Sequence, residues 1–214
     1  MKWPVIVYFI ILLLGVFSFL FNRKNLPNNI KYFFYLLLGI LITESVGFYL
    51  VYSKVKNYYW PYHFFAPIGY LFFVLAYRGQ LFWDKNRKMF LFSVGFFFLL
   101  SFFFSISKNF NGPTSFITSI QNLLYIIIVV LYLNDILSKR LNDNMFRHPI
   151  FWISVAYLIY CTGTFFSMAF LSYLKTNYPQ LVKKYFSINY ALSYILYCFY
   201  IIAFLCQRTE KKLV

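Results

Sequence analysis

The residue in this sequence best suited to chemistry is a carboxylate inside an apolar stretch. Glu44 lies within the apolar segment 30–52, eight residues before its end. At a helical rise of about 1.5 Å per residue, the carboxylate lies about 12 Å inside that boundary. An ionisable group at this depth is costly, and it marks either a functional site or a buried polar pair.

Four other polar side chains are predicted to lie at a depth similar to that of Glu44. They are His63, Gln121, Asn122 and Asn189, each near the corresponding end of its apolar segment. We call these five residues the polar cluster. One interpretation is an outward-facing pocket that binds a cation, a proton or a small polar ligand. The alternative is a hydrogen-bond network that only fixes helix packing, at about 0.6 to 2 kcal/mol per bond.

The segment around His63 carries two further signals. Pro67 follows His63 by four residues, and because proline has no backbone N–H, the carbonyl of His63 loses its helical partner. We therefore predict a helix kink that widens the bundle at this level. Aromatic residues precede the kink, and we interpret them as a belt at the membrane surface rather than a cage for a ligand; they are Tyr58, Tyr59, Trp60 and Tyr62.

Enzymatic chemistry is not predicted. One intramembrane carboxylate cannot form an aspartyl dyad, and the sequence contains no nucleophile elbow, zinc-protease motif or phosphate-binding glycine loop. The three cysteines form no cluster with histidine at the spacing of a metal site, so neither a metal nor another cofactor is expected. The last apolar segment, residues 186–206, has no lysine to form a retinal Schiff base.

The composition indicates that these residues belong to a membrane protein. Of the 214 residues, 62% are hydrophobic and 26% aromatic, which is far more than a soluble domain needs. Apolar stretches recur that are long enough to cross a hydrocarbon layer of about 30 Å. We predict an all-α polytopic protein, a single domain of about seven transmembrane helices without a soluble domain. The predicted spans are residues 3–21, 30–52, 59–82, 89–106, 114–137, 149–173 and 186–206.

The basic residues predict the orientation. Nearly twice as many of the 20 Lys and Arg residues fall on the side of the C-terminus as on the side of the N-terminus. Basic loops stay in the cytoplasm, so we expect an outer N-terminus and a cytoplasmic C-terminus in a bacterial inner membrane. This cytoplasmic basic face should attract anionic lipid headgroups, with RNA or an acidic protein as alternative partners. It comprises Arg78, Lys85, Arg87, Lys88, Lys139, Arg140, Arg147, Arg208, Lys211 and Lys212.

Several stretches resemble a family of small bacterial seven-helix membrane proteins. They are Glu44 in its apolar segment, WPYHFFAP at residues 60–67, TSFI at residues 114–117, and the segment 148–166, which runs from HPIFWI to GTFF. In size, basicity and predicted topology, the chain is also similar to the membrane accessory proteins found beside the RNA-guided RNases of type VI-B CRISPR loci.

The resemblance implies a non-enzymatic accessory or effector protein of an antiviral defence system. Such a protein would modulate a partner RNase or membrane integrity, with a homo-oligomer as one route to a pore. An alternative implied by the seven-helix family is a sensor that passes an outside signal to a separate histidine kinase. A small channel or transporter is the third hypothesis, although no inverted repeat is visible between the halves of the sequence.

Overall fold

The computed structural model describes residues 3–78, 80–110, 112–139 and 145–206. Over these residues the chain is helical and contains no strand, which confirms the predicted all-α class. One short 3-10 turn, Met145–Arg147, precedes the sixth helix. The seven helices are α1 (Trp3–Asn22), α2 (Ile30–Tyr52), α3 (Trp60–Ala76), α4 (Leu81–Ser107), α5 (Ser115–Lys139), α6 (Pro149–Asn177) and α7 (Pro179–Leu205).

Within the described ranges, five helices are long and apolar enough to cross a membrane. The qualifying stretches are Trp3–Asn22, Ile30–Tyr52, Asn86–Ser107, Ser115–Ser138 and Gln180–Leu205. Trp60–Ala76 and Pro149–Phe165 are apolar but shorter. Large apolar side chains point outward along the bundle, among them Phe21, Phe92 and Phe103 with exposed fractions of 92%, 75% and 77%. Such a surface suits contact with lipid rather than water.

The helix ends depart from the predicted spans by more than two residues at four positions, one of which is the end of the sixth helix at Asn177 rather than residue 173. The third helix ends at Ala76 and not near residue 82, because the chain turns through Tyr77 and Arg78. The fourth helix begins at Leu81, before the predicted residue 89, and the seventh begins at Pro179, before residue 186. The predictions followed apolar side chains, whereas a backbone hydrogen-bond ladder continues through charged residues outside an apolar layer.

Six of the helices form a closed ring, and α4 lies outside it. Neighbours around the ring are α1, α2, α3, α5, α6 and α7, and α7 packs back against α1. The direct bond from Gln121 Nε2 to the carbonyl of Ala66, 3.1 Å, joins α5 to α3. Helix α4 packs mainly against the outside of α3 and α5.

The ring is filled by aromatic side chains at one of its two ends. Phe33, Phe73, Tyr77 and Tyr200 are fully buried and in contact, and we call them the aromatic floor. The exposed Arg78 lies close to this layer in the chain, so we call this end of the bundle the basic end. The opposite end, where α1 begins, holds a cavity.

Candidate functional site

A cavity of about 590 Å³ opens between the ring helices at the end opposite the aromatic floor. Its wall is rich in tyrosine, and Glu44 is the one acidic residue among the described residues that line it. No lysine, arginine or histidine is among the described residues that line it. The nine lining tyrosines are Tyr8, Tyr58, Tyr59, Tyr62, Tyr125, Tyr157, Tyr160, Tyr190 and Tyr197.

The regular spacing of each helix brings these residues to the cavity. On α2, Leu36, Ile40, Thr43, Glu44 and Gly47 recur every three to four residues and so share one face of the helix. The same spacing relates the lining residues of α7, which are Asn189, Tyr190, Ser193, Leu196 and Tyr197. The cavity is therefore built on rigid helices, with residues 58–59 and 113–114 at its rim.

Glu44 is surrounded by tyrosine hydroxyls. The Tyr62 hydroxyl donates a hydrogen bond to Glu44 Oε2 at 3.2 Å. Tyr8, Tyr190 and Tyr197 are close enough for electrostatic interaction with this carboxylate. The Tyr8 and Tyr197 hydroxyls are themselves joined at 3.1 Å. No described side chain forms an ion pair with Glu44, so the positive charge that would balance a carboxylate is not supplied by the described wall of the cavity.

The tyrosine rings around Glu44 are held at fixed angles to one another. The ring of Tyr8 meets Tyr190 edge to face, with centroids 5.8 Å apart, and meets Tyr197 in the same way at 5.5 Å. Edge-to-face pairs of this kind orient the electron-rich ring faces and hold the aromatic wall in place. We call Tyr8, Tyr62, Tyr190 and Tyr197 the tyrosine cage.

Close approach of α3 to α2 positions the cage residue Tyr62. A Cβ atom added at Gly47 would lie 2.6 Å from the Tyr62 hydroxyl oxygen, closer than two atoms can approach without movement. Only glycine at position 47 therefore leaves Tyr62 where its hydroxyl reaches Glu44.

Gln121 and Asn122 line the cavity, but their amide groups bind neighbouring helices. Gln121 Nε2 donates to the Tyr125 hydroxyl at 2.7 Å, in addition to its bond to Ala66. Asn122 Nδ2 donates to Thr164 Oγ1 of α6 at 2.9 Å. These bonds hold α5 against α3 and α6. For Gln121 and Asn122 the structure therefore shows hydrogen bonds that fix helix packing, the alternative interpretation of the polar cluster.

Asn189 differs from these amides because its oxygen has no partner. The Oδ1 atom is buried and accepts no hydrogen bond from the described residues. The side chain lines the cavity beside the cage residue Tyr190. A buried acceptor without a donor is costly, so Asn189 is a cavity-lining residue that can accept one further hydrogen bond.

His63 does not line the cavity with the other four residues of the polar cluster. Its Nδ1 atom is 2.9 Å from Ser105 Oγ of α4, and its Nε2 atom is 3.3 Å from the carbonyl oxygen of Gly112. Tyr62, Phe65 and Ala66 are the α3 residues that face the cavity, and successive residues of a helix point about 100° apart. The sequence predicted how deep His63 lies but not which way its side chain points. The side chain contacts α4 and Gly112, which precedes α5, instead of the cavity.

Pro67 lies inside α3, which continues through it to Ala76. The carbonyl of Ala66, the residue before Pro67, accepts the bond from Gln121 that joins α3 to α5. The missing N–H of Pro67 leaves the carbonyl of His63 without its helical donor. The predicted role of Pro67 as a kink beside the cavity stays a prediction.

The tyrosine cage was missed by the sequence-based interpretation. The belt predicted at the membrane surface includes Tyr58, Tyr59 and Tyr62, and all three also line the cavity. The available signal was the spacing of Tyr190 and Tyr197, which lie seven residues apart on one face of α7.

The predicted basic face is described only in part. Arg78, Arg87 and Lys88 have exposed side chains. Lys85, Lys139 and Arg147 lie in described backbone, but their side chains are not described. Arg140, Arg208, Lys211 and Lys212 lie outside the described residues.

Metal-binding geometry is not found in the described ranges, where no three His, Cys, Asp or Glu side chains come together. The three cysteines, Cys161, Cys198 and Cys206, are free thiols. Comparison of the chain with protein-family models, with curated proteins and with solved structures finds no match.

Proposed function

We propose that this chain is a membrane protein that binds a small cation in its cavity, with Glu44 as the counter-ion and the tyrosine cage as the aromatic wall. The observation that carries the proposal is the charge of the cavity wall. Its described residues include one carboxylate and no basic group, although the chain as a whole has a net charge of +15.

Two physical effects favour a cation at this position. A carboxylate shielded from water attracts a positive charge more strongly than it would in bulk solvent. The faces of tyrosine rings attract cations as well, by about 0.5 to 2 kcal/mol for each well-placed ring. A neutral molecule of the same shape gains neither of these interactions.

The closed basic end favours a binding cup over an open pore. Phe33, Phe73, Tyr77 and Tyr200 of the aromatic floor are each 0% exposed. A ligand that enters at the cavity end therefore meets packed side chains on the far side. Such a cup fits the receptor of a sensor, which needs a ligand site at one end and contact with a partner at the other.

A pair of probes with the same shape and different charge tests this proposal. We expect purified protein in lipid nanodiscs to bind choline, and to bind dimethylbutanol, its neutral carbon isostere, at least about tenfold more weakly. Equilibrium dialysis of both compounds against the same preparation gives the ratio. Equal binding of the two would contradict a cation site, as would no binding of either.

Gly47 offers a second test of the same site. Gly47→Ala should push the Tyr62 hydroxyl away from Glu44, because the new methyl group would lie 2.6 Å from it, and we expect about tenfold weaker choline binding. Gly95→Ala is the matched control, since a Cβ there meets nothing within 4 Å. If both variants bind choline like the wild type, the position of Tyr62 has no part in binding.

The cellular role proposed with this site is sensing. Among the described residues, exposed basic side chains are more numerous at the basic end than at the cavity end: Arg23, Lys24, Arg78, Arg87 and Lys88 against Lys54, Lys56 and Lys108. This difference supports a cytoplasmic basic end and an outward-facing cavity by the positive-inside rule. The proposal includes a histidine kinase that contacts the basic end. It also places the protein in a bacterial inner membrane, with anionic lipid around the basic end. The resemblance also predicts an accessory or effector role beside an RNA-guided RNase, with a homo-oligomer that forms a pore. These stay predictions.

A further inference from the structure

The side-chain oxygen of Asn189 indicates which chemical class of cation the cavity binds. This inference rests on the proposed function. Asn189 Oδ1 is buried and has no partner among the described residues, and Asn189 belongs to the wall that also contains Glu44. The Tyr62 hydroxyl donates to Oε2 of the Glu44 carboxylate at 3.2 Å. The cavity thus offers acceptors on two helices, α2 and α7, to a ligand with more than one hydrogen to donate.

The volume of the cavity and the polar groups in its wall argue against a metal ion or a proton as the ligand. A hard metal cation is held by six or more oxygen ligands, commonly with several carboxylates, whereas the described residues of this wall include one carboxylate. A volume of about 590 Å³ falls within the range of pockets for organic molecules and far exceeds the needs of a proton or a dehydrated ion. An organic body can therefore occupy the space between the tyrosine rings.

We propose that the ligand is a primary or secondary amine, whose ammonium group donates hydrogen bonds to Glu44 and to Asn189 Oδ1 while its carbon atoms contact the tyrosine cage. A quaternary ammonium ion satisfies the charge and the aromatic rings but has no N–H for Asn189. Asn189 is then the residue that distinguishes amines that carry hydrogen from those that do not.

Ethanolamine and choline test this inference, because they share a skeleton and differ in the hydrogens on nitrogen. We expect the wild type to bind ethanolamine about tenfold more tightly than choline, the effect of one hydrogen bond to a buried acceptor that is otherwise unpaired. Asn189→Leu should remove this preference and leave choline affinity within about twofold. Isothermal titration in nanodiscs measures both affinities.

Two further variants make the test specific to the Asn189 oxygen. Asn189→Asp keeps an acceptor and should keep the preference for ethanolamine. Ile188→Ala is the matched control on α7, because Ile188 precedes Asn189, is 58% exposed and is not among the residues that line the cavity. This variant should bind both amines like the wild type.

The outcomes separate this inference from the proposed function. Choline binding that depends on Glu44, without any preference for ethanolamine, would overturn the inference and leave the cation site standing. A preference that survives Asn189→Leu would overturn it as well. Failure of the wild type to bind either amine would overturn both proposals together.

Discussion

Glu44→Gln is expected to weaken choline binding by about 100-fold or more. The substitution keeps the size of the side chain and an oxygen for the Tyr62 hydroxyl bond, but it removes the negative charge. Loss of one partner of a shielded charge pair typically costs about 2 to 5 kcal/mol, and each 1.4 kcal/mol corresponds to a tenfold change in affinity. Titration of the variant with choline and dimethylbutanol shows whether the preference for charge disappears.

Ser45→Ala is the matched control for this change. Ser45 is the next residue on α2, its side chain is exposed, and its hydroxyl donates to the carbonyl of Leu41 within the same helix. We expect its choline affinity to equal that of the wild type. A Glu44→Gln protein that retains wild-type affinity and the preference for choline over dimethylbutanol would exclude Glu44 as the counter-ion.

The second large effect concerns stability. Phe73→Ala should lower the free energy of unfolding by about 3 to 5 kcal/mol, because the ring is 0% exposed and its removal leaves a cavity within the aromatic floor. Its centroid lies 4.0 Å from that of Tyr125, 4.7 Å from Tyr157 and 5.2 Å from Tyr77. Denaturation by SDS in mixed micelles, followed by far-UV circular dichroism, measures the change.

Phe92→Ala serves as the control because it removes the same side chain from the surface. Phe92 is 75% exposed on α4, and substitutions at such positions usually change stability by less than about 0.5 kcal/mol. A similar loss for Phe73→Ala and Phe92→Ala would show that the aromatic floor does not stabilise the bundle.

The helical fold could be predicted because the signal is strong and local. Apolar runs bounded by charge identify all seven helices, and Pro61 and Pro149 mark the first turns of α3 and α6. The early start of α7 at Pro179 could not be predicted, because residues 179–185 include Lys183 and Lys184 and lie outside the apolar run. A helix can extend beyond its apolar part, and side-chain hydropathy locates only the apolar part.

The sequence predicted how deep the site residues lie along their helices, but not which way their side chains point. Glu44, Gln121, Asn122 and Asn189 line one cavity, and their similar depth was readable from the sequence. The direction of His63 was not, because helices that are apolar on all sides give no periodic signal for the face that points inward. The tyrosine cage was hidden for another reason: with 21 tyrosines in the chain, four of them stand out only when the folded ring brings them together.

The position of α4 outside the ring has a consequence for biosynthesis. Helices enter the membrane in chain order, so α3 is inserted before its ring neighbour α5, and α4 emerges between them. The ring closes last, when α7 meets α1 through the bond from Asn22 Nδ2 to the carbonyl of Phe204, 2.8 Å. Until the ribosome has released α7, the chain has no complete cavity, so the nascent protein has no cup in which to hold a ligand.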